Sequence, residues 1–225
     1  WRERRGSFDW VTAASNLQAG RDRNRPADRR QAHFIFPKIL MRRRHWRAGG
    51  KLGYHRAMII RTHTKDDAPS TAVYSPCEGY RYALTRVWNP AGRRVLFVML
   101  NPSTATEVQN DPTVERCERR ARALGFGAFR VCNIFAFRAT DPRVMRAQKD
   151  PDGPGNDAAI LEGAGWADTI ICAWGTHGAH RGRGAAVEAL LRATGKPLRH
   201  LGLSKAGHPK HPLYIAYSRQ PEDWS

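Results

Sequence analysis

The chain has 225 residues, enough for one α/β domain of about 150 to 200 residues with additional segments. Its 38 Lys and Arg against 20 Asp and Glu give a net charge of +18, a balance that is compatible with a polyanionic partner. No apolar run reaches the roughly 18 residues that a membrane span requires, so we expect no membrane partner.

The basic charge is concentrated at the start of the chain. Residues 1–57 contain 15 Lys and Arg against 4 Asp and Glu, and they show no sustained helical or strand periodicity. The sequence begins at Trp1, and Met41 or Met58 would serve as a start codon. We predict that residues 1–57 are a disordered or non-native extension; a nucleic-acid-binding arm or a short structured extension is the alternative.

The four cysteines are Cys77, Cys117, Cys132 and Cys172, and they form no CxxC pair. No secretory signal precedes them. They are typical of buried thiols in a reducing compartment, so we predict a cytoplasmic location.

Regular elements become recognisable from Tyr80 onward, after a lead-in segment over residues 58–79. The alternating stretch from Tyr80 to Trp88 ends in Asn-Pro-Ala-Gly, which predicts a hairpin with the strand that begins at Val95. Asp111-Pro112 predicts the start of a helix, because apolar residues then follow at helical spacing up to Gly125.

The same alternation of strand and helix continues through the chain. Strands are predicted at 129–134, 169–173 and 198–203, and helices near 185–193 and after Asp141-Pro142. Asn156 is predicted to cap a further helix. This order predicts a single domain at 80–217 with a three-layer α/β/α architecture, a mostly parallel central sheet and an N-terminal hairpin, followed by a tail at 218–225.

Functional groups gather at the carboxyl ends of strands in such sheets. The predicted ends carry Asn101-Pro102-Ser103, Asn133, Trp174-Gly175-Thr176-His177, and a segment ending in His211-Pro212-Leu213-Tyr214. This set lacks the paired carboxylates of glycoside hydrolases, the GxSxG elbow and the phosphate-binding GxxxxGK[ST] and GxGxxG loops. We therefore expect chemistry based on amide and imidazole groups.

The sequence contains two HxxH pairs, His177/His180 and His208/His211, whose spacing could place both members of a pair near one metal ion. They lie in loops rich in glycine and proline and have no clear carboxylate or cysteine partner. We predict neither a metal nor another cofactor.

The stretch GTHGAHRGRG follows a strand and enters a helix. Its glycines, together with His177, Arg181 and Arg183, favour phosphate binding through backbone N–H groups; a flexible solvated loop is the alternative.

Seven ordered motifs carry a family resemblance: RYALTRVW, VMLNPSTA, NDPT, CNIFAFRATDP, GPGND, AWG and HPLY. Across about Tyr80 to Tyr214 the chain resembles the bacterial and phage family catalogued as domain of unknown function 1643. It also resembles, more remotely, the uracil-DNA glycosylase superfamily, whose strand ends carry Gly-x-Asp/Asn-Pro, Asn, Trp-Gly and His-Pro-Ser in this order. Here Leu100 replaces the glycine, and Leu213 follows the histidine-proline pair.

The glycosylase resemblance implies a nucleobase-recognising protein that cleaves an N-glycosidic bond by means of a positioned water. Asn101 would orient the water and His211, or alternatively His208, would donate to the base, as catalytic residues. The implied base contacts are Asn133, Pro102, Ser103 and Trp174. Nucleic-acid contacts would come from Gly175, His177, Arg181, Arg183, Leu213 and Tyr214, with DNA or a nucleotide as partner.

The alternatives are a non-catalytic nucleic-acid-binding protein and a hydrolase of small nucleosides or nucleotides. Helix residues Arg116, Arg119, Arg120 and Arg122 could contact phosphates or form a solvated charged face.

Overall fold

The computed structural model describes residues 58–225. The predictions for residues 1–57 lie outside the described part of the chain. Within residues 58–225, no helix has both the length and the apolar character that crossing a membrane requires.

Eight strands form one sheet in the order β1-β2-β3-β5-β4-β6-β7-β8 across residues 58–225. The strands are β1 (Ile59–Lys65), β2 (Ala68–Tyr74), β3 (Arg81–Val87), β4 (Arg94–Met99), β5 (Ala128–Asn133), β6 (Thr169–Cys172), β7 (Leu198–His200) and β8 (Glu222–Asp223). The predicted lead-in segment therefore contains β1 and β2, and the predicted tail contains β8.

Four α-helices occur in the same described range. They are α1 (Pro112–Ala123), α2 (Pro142–Ala147), α3 (Asn156–Trp166) and α4 (Arg183–Arg192). Short 3-10 segments cover Thr176–Gly182 and Pro212–Tyr214. The α/β class is confirmed.

The sheet is only partly parallel, which corrects the prediction of a mostly parallel sheet. The neighbours β5, β4, β6 and β7 run parallel, and α1, α2 with α3, and α4 connect them. The strand pairs β1–β2, β2–β3, β3–β5 and β7–β8 are antiparallel. The alternation of strand and helix predicted the parallel part correctly, because the antiparallel strands lie outside that alternation.

The predicted hairpin between β3 and β4 is wrong. β5 lies between these two strands, and β3 pairs with β5, so that Leu84 is opposite Val131. The Asn89–Gly92 turn does form, because Gly92 N donates to Asn89 O. The backbone N–H groups of Trp88 and Asn89 donate to Gly127 O, which holds this turn against the start of β5.

Two predicted helix caps are confirmed and one is wrong. Asp111 accepts a hydrogen bond from Val114 N at the start of α1, and Asp141 accepts one from Arg143 N at the start of α2. Asn156 does not cap α3, because the N-cap position is occupied by Gly155, which has no side chain to accept a hydrogen bond. The Asn156 side chain points inward instead.

Alternate residues of the central strands contribute to two separate hydrophobic clusters. Val95, Phe97 and Met99 of β4 pack with residues of α1, whereas Leu96 and Val98 pack with residues of α3 and α4. Because successive side chains of a strand point to opposite faces, the two clusters lie on opposite faces of the sheet. Both faces of the parallel strands are therefore buried.

Candidate functional site at the carboxyl edge of the parallel strands

The parallel pairing of β4, β5, β6 and β7 places their carboxyl ends at one edge of the sheet. Asn133 is the last residue of β5 and pairs with Met99 of β4. Gly175 N, just after β6, donates to Pro209 O at 2.8 Å, so the segment that leads to His211 lies against the same edge.

The Asn101-Pro102-Ser103 segment joins the loop after β4 to the loop after β5. Asn101 Nδ2 donates to Ala139 O at 2.7 Å and to Pro102 O at 3.0 Å. Ala139 N donates back to Pro102 O, and Ser103 Oγ lies 3.4 Å from Thr140 Oγ1. The Asn101 amide nitrogen is thus used structurally, while no donor within residues 58–225 reaches its Oδ1.

Asn133 is the least satisfied polar side chain at this edge. It is 1% exposed, and neither its Oδ1 nor its Nδ2 has a hydrogen-bonding partner among residues 58–225. Leaving a buried polar group unpaired costs about 1–3 kcal/mol. Asn133 lies two residues after Val131, which packs with residues of α1, so the side chain of Asn133 lies on the same face of the sheet.

His211 packs directly on the turn after β6. A Cβ atom added at Gly175 would lie 3.3 Å from the Cβ of His211. The pKa of His211 is lowered to about 4, mainly by burial. The nearby His177 contributes to this decrease, and Asp111 partly opposes it. The His211 ring is therefore neutral at pH 7 and offers one N–H donor and one acceptor.

The other candidate histidines differ in setting. His177 is exposed, whereas the His180 ring lies 5.8 Å from that of Phe135. His208 belongs to a turn in which its backbone N–H donates to Ser204 Oγ. Among residues 58–225 there is no group of three or more His, Cys, Asp or Glu side chains that could hold a metal.

Trp174 belongs to the core, and its predicted role as a base contact stays a prediction. Its side chain is 1% exposed, and its ring centroid lies 5.6 Å from that of Trp224. A Cβ added at Gly178 would overlap Cδ1 of Trp174, and one added at Gly184 would lie 2.9 Å from its Nε1. These two glycines of the GTHGAHRGRG stretch therefore permit close packing against the indole.

Arg181 and Arg183 both bind groups of the protein, and their predicted role as phosphate ligands stays a prediction. Arg181 donates to Gln148 O and Lys149 O at 3.0 Å each. Arg183 is 8% exposed; it donates to Ile134 O at 2.8 Å and to the carboxylate of Asp157.

The arginines of α1 bind groups of the protein, and their contact with phosphates stays a prediction. Arg116 donates to Pro212 O and Ile215 O, and the buried Arg120 donates to four carbonyls between residues 215 and 219. These contacts fix the segment after His211. On that segment, Leu213 is half-buried and Tyr214 is 88% exposed.

Sequence reasoning missed Arg81 as a residue of this edge. Arg81 is 1% exposed, and its Nη1 donates to Ala105 O in the loop after β4. Its Nε has no hydrogen-bonding partner within the described range 58–225. Burial lowers the pKa of Arg81 to about 10, an effect that Asp111 opposes. An arginine within an alternating strand does not indicate from sequence which loop its side chain will contact.

A cavity of about 240 Å³ lies beside this edge, lined by Asp152, Gly153, Gly155, Asn156, Asp157 and Arg183. Asn101, Asn133 and His211 do not line it.

The family model described as Protein of unknown function (DUF1643) matches residues 81–213. No curated protein and no solved structure matches the chain. The matched range runs from β3 through His211 to the 3-10 turn at Pro212–Tyr214, so it includes every strand end described above. The chain belongs to the DUF1643 family.

Proposed function

We propose that the protein recognises a nucleobase at the carboxyl edge of β4, β5, β6 and β7, in the manner of a uracil-DNA glycosylase. The unpartnered buried amide of Asn133 is the observation that carries this proposal. Buried polar groups are nearly always hydrogen-bonded, so each exception needs an explanation, and contact with a ligand is the one that we propose here. The two packed faces of the sheet support a three-layer α/β/α frame for such a site.

The donor and acceptor groups at this edge suit an amide-like base edge, such as that of uracil or hypoxanthine. The Asn133 carboxamide presents one acceptor and two donors. Neutral His211 donates a hydrogen bond to a base oxygen as negative charge develops on it. Asn101 orients a water through Oδ1 but cannot act as a general base, so hydrolysis is slow.

Access to Asn133 requires movement, because its side chain is 1% exposed. Tyr214 lies three residues after His211 and is 88% exposed, which suits it for stacking on an unpaired base or inserting into a base stack. A nucleic acid with a flipped or single-stranded base is the partner that uses both features.

The test replaces Asn133 by leucine, which has a similar size and no polar atoms. We expect Asn133→Leu to preserve or raise the free energy of unfolding, because it removes two unpaired buried atoms. We expect the same variant to weaken binding of a uracil- or hypoxanthine-containing oligonucleotide at least tenfold, measured by fluorescence anisotropy against an unmodified oligonucleotide. Retained binding, or binding that ignores the modified base, would contradict base recognition by Asn133.

Cleavage is measured on the same oligonucleotides as strand breaks after alkali. We expect slow base release that falls about 100- to 1000-fold in His211→Ala, with His63→Ala on β1 as a histidine control. Specific binding without strand breaks would identify a non-catalytic reader of nucleobases. Release that persists in Asn101→Ala/His211→Ala would show that the chemistry lies elsewhere.

A further inference from the structure

The cavity beside Arg183 combines several features of a polar binding site. Its volume of about 240 Å³ is below the roughly 300–1,000 Å³ of pockets for drug-sized ligands, so it suits a fragment the size of one nucleobase. Gly153 and Gly155, which line the cavity, both have φ of +82°, a backbone conformation that favours glycine.

Asn156 contributes an unpaired acceptor to the lining of the cavity. Its Nδ2 donates to Asn133 O at 2.9 Å and to Ile134 O at 3.1 Å, which fixes the carboxamide orientation. Its Oδ1 has no hydrogen-bonding partner in the described part of the chain, although the side chain is only 1% exposed. This acceptor is therefore held in place and unused by residues 58–225.

The first turn of α3 contributes unused donors. Gly155 provides no side-chain cap, and the backbone N–H groups of Asp157 and Ala158 have no acceptor among the described residues. N–H groups at a helix N-terminus carry partial positive charge and bind ligand atoms that accept hydrogen bonds.

The charges around the cavity disfavour an anion. Asp152 and Asp157 flank a single buried arginine, with Arg183 Nε 3.5 Å from Asp152 Oδ2 and Nη2 hydrogen-bonded to Asp157. The two carboxylates outnumber the one guanidinium. A phosphate group would be repelled, whereas a neutral ligand with N–H groups would gain hydrogen bonds.

We propose that this cavity is a binding site for an amino-bearing nucleobase, of the cytosine, adenine or guanine type. The exocyclic amino group donates to Asp152 and to Asn156 Oδ1, and the adjacent ring nitrogen or carbonyl oxygen accepts from the N–H groups of α3. These bases present a donor next to an acceptor on one edge, whereas uracil and hypoxanthine lack the amino group.

This site does not depend on the proposed function. The Asn133 side chain lies on the α1 face of the sheet, whereas the cavity is lined from α3 and α4. The variant Asn133→Leu is therefore expected to leave binding in the cavity unchanged, so that failure of one proposal does not decide the other.

The experiment is a titration of the full ¹⁵N-labelled chain, observed by NMR, with two matched nucleoside pairs: cytidine with uridine, and guanosine with inosine. We expect the amide signals of Asp157 and Ala158 to shift with cytidine and guanosine and not with uridine or inosine. Asp152→Asn should weaken the binding of both about tenfold, because a charge-assisted acceptor is lost. Asp223→Asn on β8 removes an arginine-paired carboxylate outside the cavity lining and should have no effect.

Three results would overturn the proposal. The first is equal shifts with both members of a nucleoside pair, which would remove the role of the amino group. The second is the same shifts with guanidinium chloride alone, which would show that any cationic donor suffices. The third is the absence of shifts at Asp157 and Ala158 with all four nucleosides.

Discussion

Burial of His211 makes the stability of the fold sensitive to acid. Its folded pKa of about 4 is below the ordinary value of 6.5, so the unfolded chain binds more protons between these two pH values. The stabilisation is complete above pH 6.5 and decreases as the pH falls towards 4. A shift of this size corresponds to about 3 kcal/mol.

We therefore predict that the free energy of unfolding of the wild type falls more steeply from pH 6.5 to pH 4 than that of His211→Gln. The difference between the two slopes should amount to about 3 kcal/mol over this range, because glutamine does not titrate. Urea unfolding at half-unit pH steps measures it. Parallel curves would show that His211 remains accessible to water.

Gly178 provides a second prediction for a single residue. Its replacement by alanine places a methyl group on the Trp174 indole, so we expect Gly178→Ala to lower the free energy of unfolding by about 1–3 kcal/mol. Gly165→Ala is the matched control, because that glycine lies in α3 with no atom within 4 Å of the added methyl group. The control should gain up to about 1 kcal/mol in urea unfolding. An unchanged free energy of unfolding in Gly178→Ala would contradict the close packing of Gly178 on Trp174.

Among the elements, α1 has a role that its charge pattern did not reveal. Its N-terminal cap, Asp111, lies within electrostatic reach of both Arg81 and His211. Its arginines at 116 and 120 bind backbone carbonyls of the segment after His211. The helix therefore links the loop after β4 to the segment that carries Tyr214.

This arrangement predicts a large difference between two neighbouring arginines of α1. Arg120→Met removes donors to the carbonyls of residues 215, 216, 217 and 219, and should lower the free energy of unfolding by about 3 kcal/mol. Hydrogen exchange over residues 212–219 should accelerate at the same time. Arg119→Met removes one exposed bond to Glu115 and should change stability by less than about 0.5 kcal/mol. Similar effects of both variants would contradict this role of Arg120.

For the molecule as a whole, local sequence signals predicted the helices and strands better than they predicted which strands pair. The Asp-Pro pairs at 111–112 and 141–142 identified two helix starts, because a cap acts within four residues. The alternation of strand and helix predicted the parallel strands. No local signal indicated that β3 pairs with β5 and not with β4, because that choice depends on strands distant in sequence.

The candidate site shows the same division. The positions of Asn101, Asn133 and His211 at or after strand ends followed from the apolar runs that precede them. The partners of their side chains did not follow. The hydrogen bonding of Asn133 depends on packing between segments that are distant in sequence. The same is true of Asn156, which does not cap α3 but donates to the carbonyls of residues 133 and 134, about 23 residues away.

The loops around the candidate site are held by guanidinium groups that donate to backbone carbonyls. Arg81 and Arg86 hold residues 105–107, Arg181 holds residues 148 and 149, and Arg116 and Arg120 hold the segment after His211. Carbonyl oxygens do not titrate, and arginine keeps its charge even where burial lowers the pKa of Arg81 to about 10. Acid that protonates carboxylates leaves these contacts intact, so protonation of His211 takes place within loops whose arginine–carbonyl anchors do not respond to pH.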